Sequence, residues 1–286
     1  MILLPVSYLG ITLLFAFLQR SLIYSPAVAS SLPPAVAGLG ERVESLQVET
    51  ADGLVLNGWL THPPPAEPED ARPAEGWLLV YFPGNAGHRG NRVPRIDAFS
   101  RLGLDVVLVD YRGYGDNPGQ PSEVDLHTDA RATWDHLLKT TDVPAGRIIL
   151  HGESLGGGVA VRLAAELSRA GTPPGGLLLK STFSSMADAG KHHYPWLPVR
   201  TVLVDRFESI EHIGEVTCPI VMIHGEADRV IPVRLAERLA AAAPESSVSG
   251  RPRQFLHVPG AGHNDVPQAE LLRGTLMLVS GVEKQE

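Results

Sequence analysis

From residue 77 onward, short apolar runs alternate with longer stretches of helical pattern, and this alternation constrains the fold more than any other feature of the sequence. Most of the runs lack interspersed polar residues, as expected for strands that are buried on both faces of a sheet. The runs are WLLVYF (77–82), VVLV (106–109), IIL (148–150), LLL (177–179), IVMI (220–223) and FLHV (255–258). Strands that alternate with helices predict an α/β fold with a mostly parallel sheet.

The helical patterns lie between these runs and after the last one, at residues 123–138, 155–170, 232–243 and 266–282. Ser122 is placed to cap the first of them. Upstream, residues 43–50 and 54–60 flank the turn Asp52-Gly53 and predict a β-hairpin. The proline- and charge-rich stretch 61–76 is predicted to be a surface loop. We expect residues 41–286 to form one domain.

Charge and cysteine content exclude several classes of protein. The 24 Lys and Arg residues against 32 Asp and Glu residues give a formal charge of −8, which disfavours a nucleic-acid partner. The single cysteine, Cys218, excludes an internal disulfide and a multi-cysteine zinc site. The sequence has no HExxH pattern, and we predict neither a metal nor another cofactor. Nothing in the composition sets the oligomeric state.

The N-terminus is strongly apolar. Residues 1–18 carry no charged side chain and are followed by Gln19-Arg20, so residues 1–24 are predicted to anchor the chain in a lipid bilayer. Residues 25–40 are predicted to be a tether. Two alternatives stay open. The small residues Ala27-Val28-Ala29 would suit cleavage of a secretory signal, which would leave a secreted or periplasmic protein. The segment would also suit an amphipathic or core-covering helix. The flanking charges are too few to indicate an orientation.

The segment Gly152-Glu153-Ser154-Leu155-Gly156 is a G-x-S-x-G pattern between a buried strand and a helix rich in small residues. Glycines allow a sharp turn, which would leave Ser154 strained and exposed at a helix N-terminus. Ser154 is therefore the candidate nucleophile.

A serine hydroxyl needs a base, and the base needs a carboxylate to hold its tautomer. His263 lies in a glycine-rich loop directly after the last strand, and Asp228 follows the strand IVMI. Glu226 is the rival carboxylate and is expected to face solvent. The backbone N–H groups of Leu155 and of Asn85, in the loop after WLLVYF, are the candidate oxyanion donors.

These segments together resemble the α/β-hydrolase superfamily, and more closely its small membrane-anchored abhydrolase-domain proteins. The resemblance is carried by QRSLIYSP, PGNAG, DYRGYGDNPGQPSE, HGESLGGGVA, HGEADRVIP and GAGHND. The order Ser154, Asp228, His263 is the order in that superfamily. The resemblance implies an eight-stranded sheet whose second strand is antiparallel, with helices on both faces. It also implies cofactor-free hydrolysis of esters, thioesters or amides.

Two positions depart from the family pattern. Pro83 stands where the family usually has histidine before Gly-Asn, and Lys180 stands where relatives often carry an acidic residue. Because the oxyanion donor is a backbone N–H, loss of the histidine need not abolish activity.

The family places a lid where residues 181–215 lie here, and a short lid is therefore expected. His192, Tyr194 and Trp196 within it are candidate substrate-binding residues, or else part of a helix that packs on the sheet edge.

The sequence predicts a serine hydrolase that acts on a small-molecule acyl substrate. It would cleave a carboxylic ester or thioester bond through an acyl-enzyme. Lipid-like acyl groups would suit an enzyme located at a bilayer. A peptidase or amidase on the same triad, and a non-catalytic membrane-tethered binding protein, are the alternatives. Dehalogenases of this fold use an aspartate as the nucleophile. This chain has Ser154 at that position, which disfavours a dehalogenase.

Overall fold

The structure is a computed structural model that describes residues 3–66 and 72–280. Residues 1–2 of the predicted anchor, residues 67–71 of the predicted surface loop and residues 281–286, with the end of the predicted last helix, lie outside the described residues.

Eight strands of the described chain form one mixed sheet in the order β8-β7-β6-β5-β3-β4-β2-β1. Strand β2 runs antiparallel to β1 and β4, and the other neighbours are parallel. This topology confirms the predicted sheet. The strands are β1 Val43–Glu49, β2 Val55–Thr61, β3 Leu78–Phe82, β4 Asp105–Val109, β5 Ile148–Glu153, β6 Gly176–Lys180, β7 Ile220–Gly225 and β8 Gln254–Val258.

Helices cover both faces of the sheet. They are α1 Leu3–Ile23, α2 Val93–Ser100, α3 Glu123–Thr140, α4 Leu155–Arg169, α5 Met186–His193, α6 Val199–Val202, α7 Ser209–His212, α8 Val233–Ala242 and α9 Gln268–Val279. Because strand side chains alternate between faces, Leu150 packs in the core beneath α3, α4 and α8, whereas Ile149 packs in the core beneath α2 and α9. The continuous apolar runs of the sequence thus fill two cores at once.

The four helical patterns predicted from the sequence correspond to α3, α4, α8 and α9. The Ser122 side chain accepts a hydrogen bond from the N–H of Asp125, which confirms the predicted cap. Helix α2 was not predicted, because only eight residues form it and charged side chains interrupt its apolar pattern. Its buried Ile96 and Phe99 pack into the core beneath α2 and α9.

The segment predicted as a tether, residues 25–40, packs on the body of the protein. Residues 25–26 pair in parallel with residues 86–87, and the N–H of Ala29 donates to the carbonyl of Gly115. The side chain of Leu32 is buried, and its carbonyl accepts the indole N–H of Trp59. The sequence could not show this, because the partners lie far away along the chain.

Candidate active site

The G-x-S-x-G segment forms a sharp turn between β5 and α4. Ser154 has φ of 53°, a left-handed conformation that L-residues seldom adopt. Gly156 is needed because a Cβ atom there would lie 2.0 Å from the carbonyl oxygen of Phe82. The turn leaves the Ser154 side chain partly exposed at the carboxyl edge of the sheet.

The structure brings Ser154, His263 and Asp228 into one chain of hydrogen bonds. His263 Nε2 lies 3.0 Å from Ser154 Oγ, and His263 Nδ1 lies 2.7 Å from Asp228 Oδ2. An ionised carboxylate can only accept, so Nδ1 carries the proton and Nε2 is free to accept from the serine hydroxyl. These residues follow β5, β8 and β7, whose carboxyl ends lie at the same edge of the sheet.

Four hydrogen-bond donors surround the Asp228 carboxylate. The N–H groups of Val230 and Ile231 each donate to Oδ1 at 2.8 Å. His224 Nε2 lies 3.2 Å from Oδ2, beside His263 Nδ1, and 2.8 Å from the carbonyl oxygen of Ile231. Burial alone would raise the pKa of Asp228, but the hydrogen bonds from His224, His263 and Ile231 outweigh it and hold the pKa well below its usual range. Asp228 is therefore ionised at neutral pH.

The rival carboxylate lies elsewhere. Glu226 is 48% exposed, and its carboxylate lies 3.8 Å from His257 Nδ1.

The loop that follows β3 runs beside Ser154. A Cβ atom on Gly84 would lie 3.6 Å from Ser154 Cβ, and Asn85 lines the same cavity as Ser154. Two tyrosines after β4 form hydrogen bonds with this loop. The Tyr111 hydroxyl donates to the Pro83 carbonyl at 2.9 Å, and the Tyr114 hydroxyl donates to the Asn85 carbonyl at 2.8 Å. Leu155 is the first residue of α4, so its N–H has no partner within the helix.

A buried charge network lies next to the turn between β5 and α4. Lys180 Nζ donates to Glu153 Oε1 at 2.7 Å and to the carbonyl of His263 at 3.2 Å. Arg95 and the Tyr81 hydroxyl also donate to Glu153. Burial would raise the pKa of Glu153, but the charges of Lys180 and Arg95 lower it well below its usual range. The departure at Lys180 therefore has a structural partner, which the sequence pattern did not identify.

Ser154 and His263 line a cavity of about 640 Å³, within the size range of small-molecule sites. Among the predicted substrate-binding residues, Tyr194 lines this cavity. His192 and Trp196 are not among its described lining residues. His192 accepts a hydrogen bond from Arg234 in a separate cleft, and the Trp196 ring packs on Phe15.

The sequence analysis missed the lining residues that α1 supplies, which are Phe15, Gln19, Leu22 and Ile23. One face of α1 carries the less apolar residues Thr12, Ala16 and Gln19. This pattern could have indicated that the face contacts protein rather than lipid. In the described part of the chain, no group of three or more His, Cys, Asp or Glu side chains is arranged to hold a metal ion.

Comparison with known proteins agrees with this architecture. An α/β hydrolase from Vibrio vulnificus superposes with a TM-score of 0.68 at 19% identity, over 88% of each chain. The Pyrococcus furiosus esterase Pf2001 superposes with a TM-score of 0.64 at 18% identity, over 89% of this chain and 97% of the esterase. The family model described as serine aminopeptidase, S33, matches residues 74–194. The chain belongs to the α/β-hydrolase superfamily.

The chain is also similar to sequence relatives, one of them an abhydrolase-domain protein. It is 44% identical over 260 residues to the uncharacterized Mycobacterium tuberculosis protein Rv2307c, covering 91% of this chain and 84% of that one. It is 33% identical over 195 residues to the lysophosphatidylserine lipase ABHD12 of Danio rerio. That match covers 63% of this chain and 50% of the lipase.

Proposed function

We propose that the protein is a serine hydrolase that cleaves carboxylic esters or thioesters of lipid-like acyl groups through an acyl-enzyme. The observation that carries this proposal is the hydrogen-bonded chain from Ser154 through His263 to Asp228 beside an apolar cavity. The resemblance to lysophosphatidylserine lipases supports the choice of an acyl lipid substrate.

In the first half of the reaction, His263 Nε2 takes the proton from Ser154 Oγ as that oxygen attacks the acyl carbonyl. The carbonyl oxygen becomes an oxyanion, which the N–H groups of Leu155 and Asn85 stabilise; loss of one such donor costs about 10²–10³ in rate. His263 then protonates the leaving alcohol or thiol. Asp228 holds the imidazole in the productive tautomer and offsets its positive charge.

In the second half, water replaces the leaving group. His263 removes a proton from the water, the resulting hydroxide attacks the acyl carbon, and His263 returns the proton to Ser154 as the acid departs. The bound acyl group lies in the cavity, beneath the lid that we assign to residues 181–215 of the 41–286 hydrolase domain.

We also propose that residues 1–24 hold the protein at a membrane. Helix α1 is long and apolar enough to cross one, a property that a signal sequence near the N-terminus would share. Contacts between the end of α1 and the body support retention of the helix over cleavage at residues 27–29. Carbonate extraction of membranes and N-terminal sequencing of the mature protein test retention, because a cleaved signal would leave a soluble chain lacking these residues.

The deciding test of the hydrolase is reaction with a fluorophosphonate probe, followed by peptide mapping. The proposal expects a single modified serine, Ser154, and loss of both labelling and aryl-ester turnover in Ser154→Ala. Ser168→Ala, at the other end of α4, is the matched control and should retain both. Full turnover by Ser154→Ala would overturn the nucleophile assignment. If the unsubstituted protein is neither labelled nor active, the alternative of a non-catalytic membrane-tethered binding protein is favoured.

A peptidase is the second candidate, because the matching family model is that of serine aminopeptidases. Parallel assays on aminoacyl arylamides and on acyl esters with the same leaving group separate the two. Faster turnover of the arylamides would select the peptidase.

A further inference from the structure

One face of α1 contacts the body of the protein. Thr12 and Ile23 are buried, and Phe15, Ala16 and Gln19 are partly buried. Spacings of three and four residues place these side chains on one side of the helix. The other sides expose large apolar side chains, at Val6, Leu9, Leu13, Leu14 and Phe17. A helix that served only as an anchor would not need a dedicated protein-contact face.

Polar contacts fix the carboxyl-terminal part of α1 and the residue after it against the end of α6 and the segment that follows. Arg20 Nε lies 3.0 Å from Asp205 Oδ2, and the Tyr24 hydroxyl donates to the same carboxylate at 3.1 Å. The Gln19 side chain accepts from the N–H of Val204 at 2.6 Å and donates to the carbonyl of Val202 at 3.3 Å. Asp205 is buried, so breaking these contacts would leave a carboxylate without its partners.

The end of α1 also touches the loop that carries the candidate oxyanion donor. The Asn85 side chain donates to the carbonyl of Ile23 at 3.0 Å, and the Asn85 carbonyl accepts from the N–H of Ser25 at 2.9 Å. The helix therefore ends at the catalytic edge of the sheet.

The contact face of α1 forms one side of the cavity beside Ser154. Phe15 and Ile23 of this face line the cavity, and the half-exposed Leu22 lines it at its edge. The lid supplies facing residues that include Met186 and Leu197. The ring of Phe15 meets that of Tyr194 edge-on, with centroids 5.1 Å apart. Without α1 this side of the cavity would be open to water.

We propose that α1 is a wall of the acyl-binding cavity, with Phe15 and Leu22 setting which acyl chains fit, and that the chain enters from the bilayer alongside this helix. This inference rests on the proposed hydrolase function. The same helix that lines the cavity exposes Phe17 to 85% and carries no charged side chain before Arg20. Bilayer hydrocarbon is the surrounding that would cover such a surface, so one helix borders both the lipid and the site.

The test uses the full-length protein in detergent micelles and a series of 4-nitrophenyl esters from acetate to dodecanoate. Phe15→Ala removes part of the wall, and Leu22→Trp narrows the opening. Each should lower kcat/KM for dodecanoate by about tenfold or more, while acetate turnover changes by less than about twofold. Phe17→Ala and Leu18→Trp, whose side chains are not among the described lining residues, are matched controls and should keep the parent's chain-length profile.

The outcomes separate the two proposals. If the parent hydrolyses no ester and the fluorophosphonate probe does not label Ser154, the hydrolase function fails. If the parent is active but both wall variants keep its chain-length profile, the wall assignment is overturned and the function stands. Probe labelling of each variant reports an intact site. Leu22→Trp retains the aromatic contacts of Phe15, so it decides the question if Phe15→Ala does not fold.

Discussion

The ammonium group of Lys180 lies 2.7 Å from the carboxylate of Glu153, the residue immediately before Ser154. The same group donates to the main-chain carbonyl of His263, so one buried side chain joins the turn at Ser154 to the loop of the candidate base. Both partners are buried, and the pair also contacts Arg95 through Glu153. A structural ion pair thus spans two of the loops that form the site.

Replacement of Lys180 by methionine should destabilise the protein by about 1–3 kcal/mol, because the buried Glu153 carboxylate loses one of its donors and keeps Arg95 and Tyr81. Turnover should fall through kcat more than KM, because the His263 loop loses a hydrogen bond. Urea unfolding and ester kinetics measure the two effects. The double variant with Glu153→Gln should recover part of the stability, and a single variant as stable as the parent would contradict this role for the pair.

Asp228→Asn should lower kcat by about 10⁴-fold with little change in fold, because an amide cannot hold the His263 tautomer as a carboxylate does. Steady-state hydrolysis of an aryl ester measures the loss. Glu226→Gln, on the same loop but half exposed, is the matched control and should retain activity. Comparable losses in both variants would show that loop structure, rather than the carboxylate beside the imidazole, causes the defect.

Gly156→Ala should abolish turnover and lower the thermal midpoint, because the added Cβ would lie 2.0 Å from a main-chain oxygen that the sheet holds in place. Gly146→Ala is the control, since the corresponding Cβ would have no atom within 4 Å. That variant should keep full activity and an unchanged or slightly higher midpoint. An active Gly156→Ala enzyme would mean that the turn tolerates more movement than its geometry implies.

His151 should make the protein less stable as the pH falls. Burial lowers the pKa of His151 to about 3, whereas an unfolded histidine has a pKa near 6.5. As the pH falls below about 6.5, the unfolded chain gains a proton that the folded chain does not bind until about pH 3. Folding stability is therefore complete above pH 6.5 and decreases below it, by up to about 1.4 kcal/mol per pH unit.

The variant His151→Phe tests this effect, since a phenyl ring suits the contacts with Tyr81 and Phe99. The difference between its urea midpoints at pH 7.5 and pH 5 should be smaller than that of the parent. Equal differences in the two proteins would assign the acid sensitivity to other groups.

The sequence by itself determined the sheet and the helices α3, α4, α8 and α9, because apolar periodicity and turn residues are local properties that do not depend on distant partners. It also gave Ser154, Asp228 and His263 as candidates, since each follows a strand whose carboxyl end lies at one edge, and the structure brings the three side chains within hydrogen-bond distance. The tertiary structure alone decided which surfaces meet. The pairing of Lys180 with Glu153, the packing of residues 25–40 and the entry of Phe15 into the cavity, in place of His192 and Trp196, all join residues distant along the chain. Such contacts depend on how whole elements pack, and no short pattern in the sequence encodes them.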